Sequence, residues 1–273
     1  MKKRDLLVFA VIVISLIVIR VEATTPALIT SPYLYSFNTN GVLYEASSDS
    51  LTSSPYWWLN SGAKLNLSNG RGKTIQKELS ATDKWRLIYL ASNPVDTDNG
   101  YHPQNIFRLL SRSKWQNFQQ MSYFKINRDQ LSKSPNRDEH NGLLLMSRYQ
   151  NSNNLYYAGI RVDGTAIIKK KLNGQYYTLA SKKIFTGTYN RASSPNLLPK
   201  NVWLGLKSQV TNLNGKVNIK LYLDKGWTGT WALVLDVTDG SLSSKSPLLN
   251  EGYAGIRTDF MDVEFDNYRL IKV

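Results

Sequence analysis

The stretch that decides the fold runs from Gly142 to Ser181 and reads GLLLMSRY QNSNN LYYAGIRV DG TAIIKKK LNG QYYTLAS. Apolar or aromatic runs alternate here with short polar segments. Asp163-Gly164 and Asn173-Gly174 are residue pairs that two-residue hairpin turns prefer, because such turns need positive φ at both central positions. The stretch therefore predicts an antiparallel meander of strands.

The two turns also predict how the strands pair. If Asp163-Gly164 is a two-residue turn, Tyr157 pairs with Lys170, and if Asn173-Gly174 is the next turn, Lys170 pairs with Tyr177. Side chains alternate between the two faces of a strand with a period of two. The residues predicted to share one face are Tyr157, Arg161, Lys170 and Tyr177.

Short apolar or alternating runs recur through the rest of the chain, separated by Gly and Asn turns. Predicted strands lie at 41–46, 62–67, 73–79, 85–91, 105–111, 117–126, 202–210, 217–223, 231–237, 252–257 and 261–273. No helix longer than a turn or two is expected. Many short strands with regular turns predict an all-β fold, an antiparallel β-sandwich of two sheets in the jelly-roll arrangement.

The chain divides into a leader, a linker and a domain. A basic start, an apolar run at 6–19 and Val21-Glu22-Ala23 predict a signal peptide at 1–23 that is cleaved after Ala23. An uncleaved N-terminal anchor formed by 6–19 is the alternative. Residues 24–39 read as a flexible segment, and no Pro/Gly/Ser linker divides 40–273, so one domain is expected there. The predicted location is extracellular, secreted or at the cell surface.

Composition restricts the partners. The sequence holds no cysteine, so disulfides are excluded. Net charge is +14, and residues 1–23 carry four basic and two acidic groups, which leaves +12 on the mature chain. This excess favours anionic polysaccharide or a negatively charged surface. Nucleic acid is not expected, because export argues against it. Membrane contact is expected only through the N-terminal segment, and only if that segment stays uncleaved. General surface attraction without a specific site is the alternative.

Two segments carry a family resemblance. Gly252 to Arg257 (GYAGIR), followed by the run from Val263 to Leu270 (VEFDNYRL), resembles the C-terminal signature of the concanavalin A-like lectin/glucanase superfamily. Asn154 to Gly164 (NLYYAGIRVDG) is similar to a mid-domain hairpin of the same group. The resemblance covers 40–273 and implies a jelly roll with a concave sheet able to hold a carbohydrate chain.

Several of these residue types suit recognition of an acidic sugar. Aromatic rings pack on the C–H faces of sugars, while Arg and Lys bind carboxylates. The residues predicted to bind carbohydrate are Arg108, Arg112, Tyr149, Tyr157, Arg161, Lys170 and Tyr177. The alternative is a solvated outer face, which would suit an adhesion or structural domain without a small site.

An enzyme of the same fold is a second alternative. Arg108 to Arg112 (RLLSR), with His102 and Gln104 before it, faintly resembles the alginate-lyase type of jelly roll. Leu110 stands where that pattern has an acid, and the Gln and His are in the opposite order. For a polysaccharide lyase, His102 and Tyr157 would be the acid and base of the β-elimination.

A cluster of acidic residues lies on the last predicted strand. Asp262, Glu264 and Asp266 are spaced to share one face, as in retaining glycosidases, which need two carboxylates about 5 Å apart. Another reading is a structural calcium site in which Asp266 and Glu45 supply oxygen ligands, although Ca²⁺ takes about six to eight such ligands. No other cofactor is expected.

Overall fold

The computed structural model describes residues 24–27, 29–240 and 246–273, so the predicted leader at 1–23 lies outside the described residues. Sixteen strands and one α-helix, α1 (Lys84–Ser92), form the fold of this part of the chain. The strands, in order, are β1 (Tyr33–Tyr35), β2 (Gly41–Tyr44), β3 (Trp57–Ser61), β4 (Lys64–Ser68), β5 (Arg71–Lys73), β6 (Ile106–Trp115), β7 (Phe118–Asp129), β8 (Gly142–Asn151), β9 (Asn154–Arg161), β10 (Thr165–Leu172), β11 (Gln175–Lys183), β12 (Trp203–Leu213), β13 (Lys216–Lys225), β14 (Ala232–Asp239), β15 (Gly252–Asp259) and β16 (Met261–Lys272).

The strands form two antiparallel sheets. The larger, nine-stranded sheet has the order β14-β13-β12-β7-β16-β5-β4-β2, with β1 also paired to β16. The smaller, seven-stranded sheet has the order β11-β10-β9-β8-β15-β6-β3. The predicted meander of β8 to β11 forms one half of the smaller sheet. The all-β, two-sheet antiparallel sandwich predicted from the sequence is confirmed.

The core fills the space between the sheets. Phe124, Leu206 and Phe265 from the larger sheet meet Leu145 and Ile256 from the smaller one in a single buried cluster. Because side chains alternate along a strand, the residues next to these point away from the core. Each sheet therefore has an outer face, and these outer faces are where binding surfaces can form.

The first hairpin of the meander has a different turn from the predicted one. Gly164 has φ of 81° and its N–H donates to the carbonyl of Arg161 at 2.9 Å, which closes a three-residue turn. Tyr157 therefore pairs with Lys169 rather than Lys170. A shift of one residue moves every side chain of a strand to the other face. The predicted pairing is wrong here, whereas the predicted pairing of Lys170 with Tyr177 across the second turn is confirmed.

The shift places Lys170 inside the sandwich. Its side chain is 0% exposed, and its Nζ donates to Asp239 at 2.9 Å and to the carbonyl of Ser246 at 3.2 Å. The hydroxyl of Tyr156 donates to the other oxygen of Asp239 at 2.6 Å. A buried charge is tolerated when it is paired and hydrogen-bonded in this way. Lys170 thus links β10 to β14 across the sandwich.

The segment 85–91, predicted as a strand, is helical. Asp83 begins α1 by accepting a hydrogen bond from the Trp85 N–H at 2.8 Å, and it also forms an ion pair with Lys64. Tyr89 is the buried residue of the helix, and its hydroxyl donates to Glu45 at 2.5 Å. Tertiary contacts and an N-cap therefore prevail over an apolar pattern typical of a strand.

No helix among the described residues is long and apolar enough to cross a membrane.

Residues before position 40 also take part in the sheets. β1 pairs with β16, with Leu34 opposite Arg269, and Phe37 is fully buried in the core. The segment predicted as flexible, 24–39, therefore contributes both a strand and a core side chain.

Candidate functional site

The outer face of the smaller sheet carries an apolar and aromatic cluster. Leu143 and Leu145 point into the core, whereas Leu144 and Met146, their neighbours on β8, point outward. The cluster on the outer face consists of Leu110, Leu144, Met146, Tyr149, Leu155, Tyr157 and Ile167, with Trp58 and Tyr253 at its border. This face is therefore not an ordinary solvated surface of charged residues.

A cavity of about 510 Å³ lies over this face at the β9, β10 and β15 strands. Its walls come from Asp96 and from the loop that holds Asn136 to Asn141. The side chains at its base that matter for binding are Tyr157, Arg161, Lys169, Tyr176, Arg257 and Asp259. The cavity is open to solvent and mixes aromatic with charged groups, as ligand sites commonly do.

Arg257 is the central charged group of the cavity. Its Nη1 donates to the Tyr157 hydroxyl at 3.0 Å and its Nε donates to Asp259 at 2.8 Å. Burial opposes the charge, but Asp259 and Tyr157 raise the pKa of Arg257 above its usual value. Arg257 is therefore a fixed cation held in one orientation by two partners.

Two tyrosines form an aromatic pair beside Arg257. The rings of Tyr157 and Tyr176 lie 6.2 Å apart between centroids, at 28° to one another. Burial raises the pKa of Tyr157 to about 12, so its hydroxyl is protonated at neutral pH. For Tyr176, burial is outweighed by Arg257 and Lys171, which lower its pKa. Tyr176 is 52% exposed and is the ring of the pair that a ligand can reach.

Lysines flank the exposed ring. Lys169 and Lys171 place their Nζ atoms 5.8 and 4.8 Å from the centroid of Tyr176. Within the described residues no carboxylate lies at ion-pair distance from either lysine. Arg161, by contrast, pairs with Asp163 at 2.7 Å. Two lysines without an ion-pair partner therefore lie next to an accessible ring, and Asp138 and Asp163 act on Lys169 from a greater distance.

Asp96, an acidic residue of the wall, is engaged by side chains of the neighbouring loop. Asp96 accepts hydrogen bonds from Ser134 at 2.6 Å and from Asn136 at 2.9 Å. Asp138, Glu139 and His140 have ligand atoms within 4.8 Å of one another and are the group of the described chain that is spaced for a metal ion. The predicted calcium residues Glu45 and Asp266 are not members of that group.

Four of the predicted carbohydrate-binding residues lie on this outer face. They are Arg108, Tyr149, Tyr157 and Arg161. Arg108 is directly opposite Arg257 on the neighbouring strand, and its guanidinium lies 5.9 Å from the ring centroid of Tyr149. The structure thus brings Arg108 and Tyr157 onto one face through Arg257.

The other three predicted residues do not line the cavity. Lys170 lies between the sheets, and Tyr177 is on the same side of its strand as Lys170, with its ring centroid 5.8 Å from Nζ. The prediction that both share a face with Tyr157 is wrong, because of the three-residue turn. Arg112 is 7% exposed, and its Nη1 donates to the carbonyls of Thr24 and Ser54 at 2.6 and 3.0 Å.

The residues predicted for a lyase are separated. His102 lines a different cavity, of about 520 Å³, together with Gln130 and Ser132. Tyr157 does not line that cavity. Gln104 is buried and donates to Asp262 at 3.0 Å. The structure therefore does not bring His102 and Tyr157 together around one substrate.

The acidic residues of β16 lie on the other sheet. Asp262 accepts from Gln130 at 2.6 Å and pairs with Arg128 at 3.2 Å, and Glu264 pairs with Lys125 at 3.0 Å. Asp266 accepts from the N–H of Asn267 at 2.6 Å, and burial raises its pKa. Asp262 and Glu264 are thus neutralised in place.

Sequence reasoning missed Arg257, Tyr176 and Lys169 as members of the site. A two-residue turn at Asp163-Gly164 predicts that Tyr176 and Lys169 lie on the face opposite to Tyr157. A three-residue turn with Gly164 in the left-handed conformation is an established alternative for this sequence, and choosing it places Lys169 beside Tyr157. Arg257 lies in the segment that carries the family resemblance, but its pairing with Tyr157 is a contact between distant strands.

The fold is a two-sheet antiparallel β-sandwich of the jelly-roll type, and its smaller sheet bears a cavity lined by aromatic and charged residues. No protein-family model and no curated protein matches the sequence. Among solved structures, a mutant of the GH43 protein BlXynB from Bacillus licheniformis is similar over 88% of this chain and 39% of its own, with a TM-score of 0.50 and 12% identity. This chain thus spans well under half of that protein.

Two shorter proteins are matched over almost their whole length. Winged bean acidic lectin complexed with methyl-α-D-galactose covers 88% of this chain and 96% of its own, with a TM-score of 0.49 and 12% identity. The carbohydrate binding module CBM66 from Bacillus subtilis covers 79% of this chain and 95% of its own, with a TM-score of 0.48 and 16% identity. At 12% identity, the likeness to the GH43 protein shows the fold alone.

Proposed function

We propose that this chain is an exported glycan-binding protein that holds an anionic polysaccharide in the cavity on the smaller sheet. The observation that carries the proposal is the exposed ring of Tyr176, stacked on Tyr157 and flanked by Lys169 and the fixed cation Arg257. Proteins of the same fold that are named as lectins and carbohydrate binding modules support the glycan class.

The ring of Tyr176 supplies the contact for a sugar. A pyranose presents a flat C–H face, which packs on an exposed aromatic ring and removes apolar surface from water. Tyr157 supports this ring from behind, so less conformational freedom is lost when a ligand binds. Polar groups on either side then orient the sugar hydroxyls.

The charges favour an acidic sugar over a neutral one. Lys169 and Lys171 make no ion pair with a described residue, and Arg257 presents its guanidinium at the base of the cavity. A uronate carboxylate can accept hydrogen bonds from such cations. The net charge, +14 for the full chain and +12 without residues 1–23, adds a long-range attraction for polyanions.

Binding is favoured over bond cleavage by the state of the candidate catalytic groups. Tyr157 is protonated at neutral pH and therefore does not act as a base, since burial holds its pKa at about 12. His102 lines a separate cavity. Asp262 and Glu264 are on the larger sheet and are engaged by cations and amides.

The test uses affinity electrophoresis in gels that contain polygalacturonate, with fully methyl-esterified polygalacturonate as the matched uncharged polymer. We expect retardation by the charged polymer alone, and we expect it to weaken as salt is added. Tyr176→Ala and Lys169→Ala should each reduce affinity by about tenfold or more. Tyr44→Ala, which removes an exposed ring on β2, is the control and should bind normally.

Two outcomes would contradict the proposal. Unchanged binding by both Tyr176→Ala and Lys169→Ala would remove the cavity as the site. Release of unsaturated uronate products during incubation would show a lyase rather than a binding protein. Recovery of the protein from a secreting host with Thr24 as its first residue would support export, and retention of residues 1–23 would support an anchor.

A further inference from the structure

A second aromatic surface lies on the opposite side of the sandwich, on the outer face of the larger sheet. The side chains of Trp203 and Lys207 point outward from β12, and Gly205 lies on the same face, since Leu204 and Leu206 between them belong to the core. We call this surface the platform and define it by Tyr123, Trp203, Lys207, Tyr222, Trp227 and Trp231. Three of the seven tryptophans of the chain lie in it.

The rings of the platform are in mutual contact. Trp227 stacks on Tyr123 with centroids 4.2 Å apart and planes at 7°. Trp203 meets Trp227 edge to face at 4.9 Å, and Trp231 lies 5.6 Å from Tyr123. All three tryptophans are only partly buried. The rings therefore form one continuous aromatic area that solvent reaches.

A tightly bonded loop holds Trp227 in place. Asp224 accepts hydrogen bonds from the Thr228 hydroxyl at 2.7 Å, from the Gly229 N–H at 2.7 Å and from the Tyr123 hydroxyl at 2.8 Å. Trp227 itself has φ of 61°, a conformation that costs energy for a bulky residue. The loop is thus built to present this indole on the surface.

The absence of a side chain at position 205 makes room for the rings. Gly205 lies between Tyr123 and Asp224 on the neighbouring strands. A Cβ atom at this position would lie 2.7 Å from Trp231 and 2.7 Å from Tyr123. Gly205 thus leaves room for the rings of Trp231 and Tyr123 beside β12.

The platform carries a surplus of positive charge. Lys207 lies between two rings, 4.5 Å from the centroid of Tyr222 and 4.8 Å from that of Trp231, and pairs with no carboxylate of the described chain. Lys125 and Arg71 both lie 5.3 Å from the Trp203 centroid and share the single carboxylate of Glu264.

We propose that the platform is a second binding surface, for a stretch of anionic polysaccharide chain. Exposed indoles fit the C–H faces of successive sugar rings, and the flanking cations fit their carboxylates. The platform is on the other side of the sandwich from the cavity. If the proposed function of the cavity also holds, one molecule can bind two chains and join them.

Tryptophan fluorescence separates the two surfaces. The cavity is lined by tyrosines and no tryptophan, whereas the platform contains three tryptophans. Adding polygalacturonate to the Tyr176→Ala variant should still change the tryptophan emission and saturate, and fully methyl-esterified polygalacturonate should leave it unchanged. This response does not depend on whether the cavity binds.

Variants of the platform complete the test. In the Tyr176→Ala background, Trp203→Ala and Lys207→Met should each weaken the remaining binding by about tenfold. Lys207→Met keeps most of the packing, so it tests the charge even if Trp203→Ala fails to fold. Tyr44→Ala is again the control. Unchanged binding by Lys207→Met, or tighter binding of poly(dT) than of polygalacturonate, would overturn the proposal.

Joining of chains is measured with beads. Beads coated with polygalacturonate should aggregate with wild-type protein taken from a monomeric gel-filtration fraction, and either Tyr176→Ala or Lys207→Met should abolish aggregation. Loss with Lys207→Met alone would mean that the platform joins chains together with a surface other than the cavity, which would contradict the proposed function of the cavity and not the platform. Loss with Tyr176→Ala alone would count against the platform.

Discussion

Arg257 on β15 and Arg108 on β6 lie directly opposite one another. Of these two arginines, Arg257 forms an ion pair with a described carboxylate. Like charges in directly opposed positions of a sheet destabilise it. Asp259, 2.8 Å from Arg257 Nε, offsets this repulsion. The same contact orients Arg257 toward Tyr157, so stability and the geometry of the cavity depend on one carboxylate.

Asp259→Asn should therefore destabilise the fold. The substitution leaves Arg257 largely buried without a counter-charge, and we expect a loss of about 2–4 kcal/mol in the free energy of unfolding. Urea denaturation measures it. Asp236→Asn removes a carboxylate of similar chemistry from the exposed pair with Lys220 and should cost at most about 1 kcal/mol. Equal effects of the two substitutions would contradict the importance of the Arg257–Asp259 pair.

Substitution by Met should affect mainly stability at one of two consecutive lysines and mainly polysaccharide binding at the other. Lys170→Met leaves Asp239 buried without its cation, so we expect a loss of about 3–5 kcal/mol in the free energy of unfolding. Lys169→Met lies on the outer face and should cost at most about 1 kcal/mol, while it weakens polygalacturonate binding. Denaturation and affinity electrophoresis on the same two proteins check both halves. A large loss of stability for Lys169→Met and a small one for Lys170→Met would instead support a two-residue turn.

Gly205→Ala tests the packing of the platform. The added methyl group meets the rings of Trp231 and Tyr123 at 2.7 Å, and overpacking of this kind costs about 1–3 kcal/mol. Combining it with Trp231→Ala removes one of the two clashes. The double variant should therefore lose less stability than the sum of the single variants, as measured by urea denaturation of all four proteins. Strict additivity would show that the methyl group does not meet Trp231.

Glu45 should make stability depend on pH in a direction opposite to that of Asp83. Burial raises the pKa of Glu45 above 4.5, so the unfolded chain releases this proton first, and stability falls as pH rises through the folded pKa. For Asp83, burial is outweighed by Lys64 and the Trp85 N–H, which lower the pKa below 3.8, so stability is lost as pH falls. Urea denaturation between about pH 3 and 7 measures both.

Glu45→Gln should accordingly gain stability relative to the wild type as pH rises. Asp83→Asn should lose stability relative to the wild type over the same change. A gain for both variants, or for neither, would contradict the assigned pKa directions.

The class of fold follows from the sequence because alternation and turn residues are local signals. GVLYEA at 41–46 and VNIKLYLD at 217–224 alternate, and both form strands, β2 and β13. WRLIYLA at 85–91 shows the limit of this reasoning. Its apolar run is compatible with strand or helix, and what decides is Asp83 at the N-cap together with the contact of Tyr89 with Glu45. Such a contact between distant residues has no local signal.

The site was less predictable than the fold for a related reason. Tyr157 and Arg161 could be placed on one face because they are on one strand. Which lysine lies on the same face depends on the length of the turn between β9 and β10. An error of one residue in that length places Lys170 there in the position of Lys169. The platform depends on the packing of rings around Gly205 and on a loop closed by Asp224. Both involve contacts that only the folded chain brings together.

The three-residue turn between β9 and β10 limits how this protein can change during evolution. A substitution in the turn alters one side chain, but loss of one residue, with a two-residue turn in its place, reverses the orientation of the whole of β10. Lys169 would then face the core and Lys170 the solvent, leaving Asp239 without its partner. Homologous chains that keep this lysine pair are therefore expected to conserve the length of the turn more strictly than its residues.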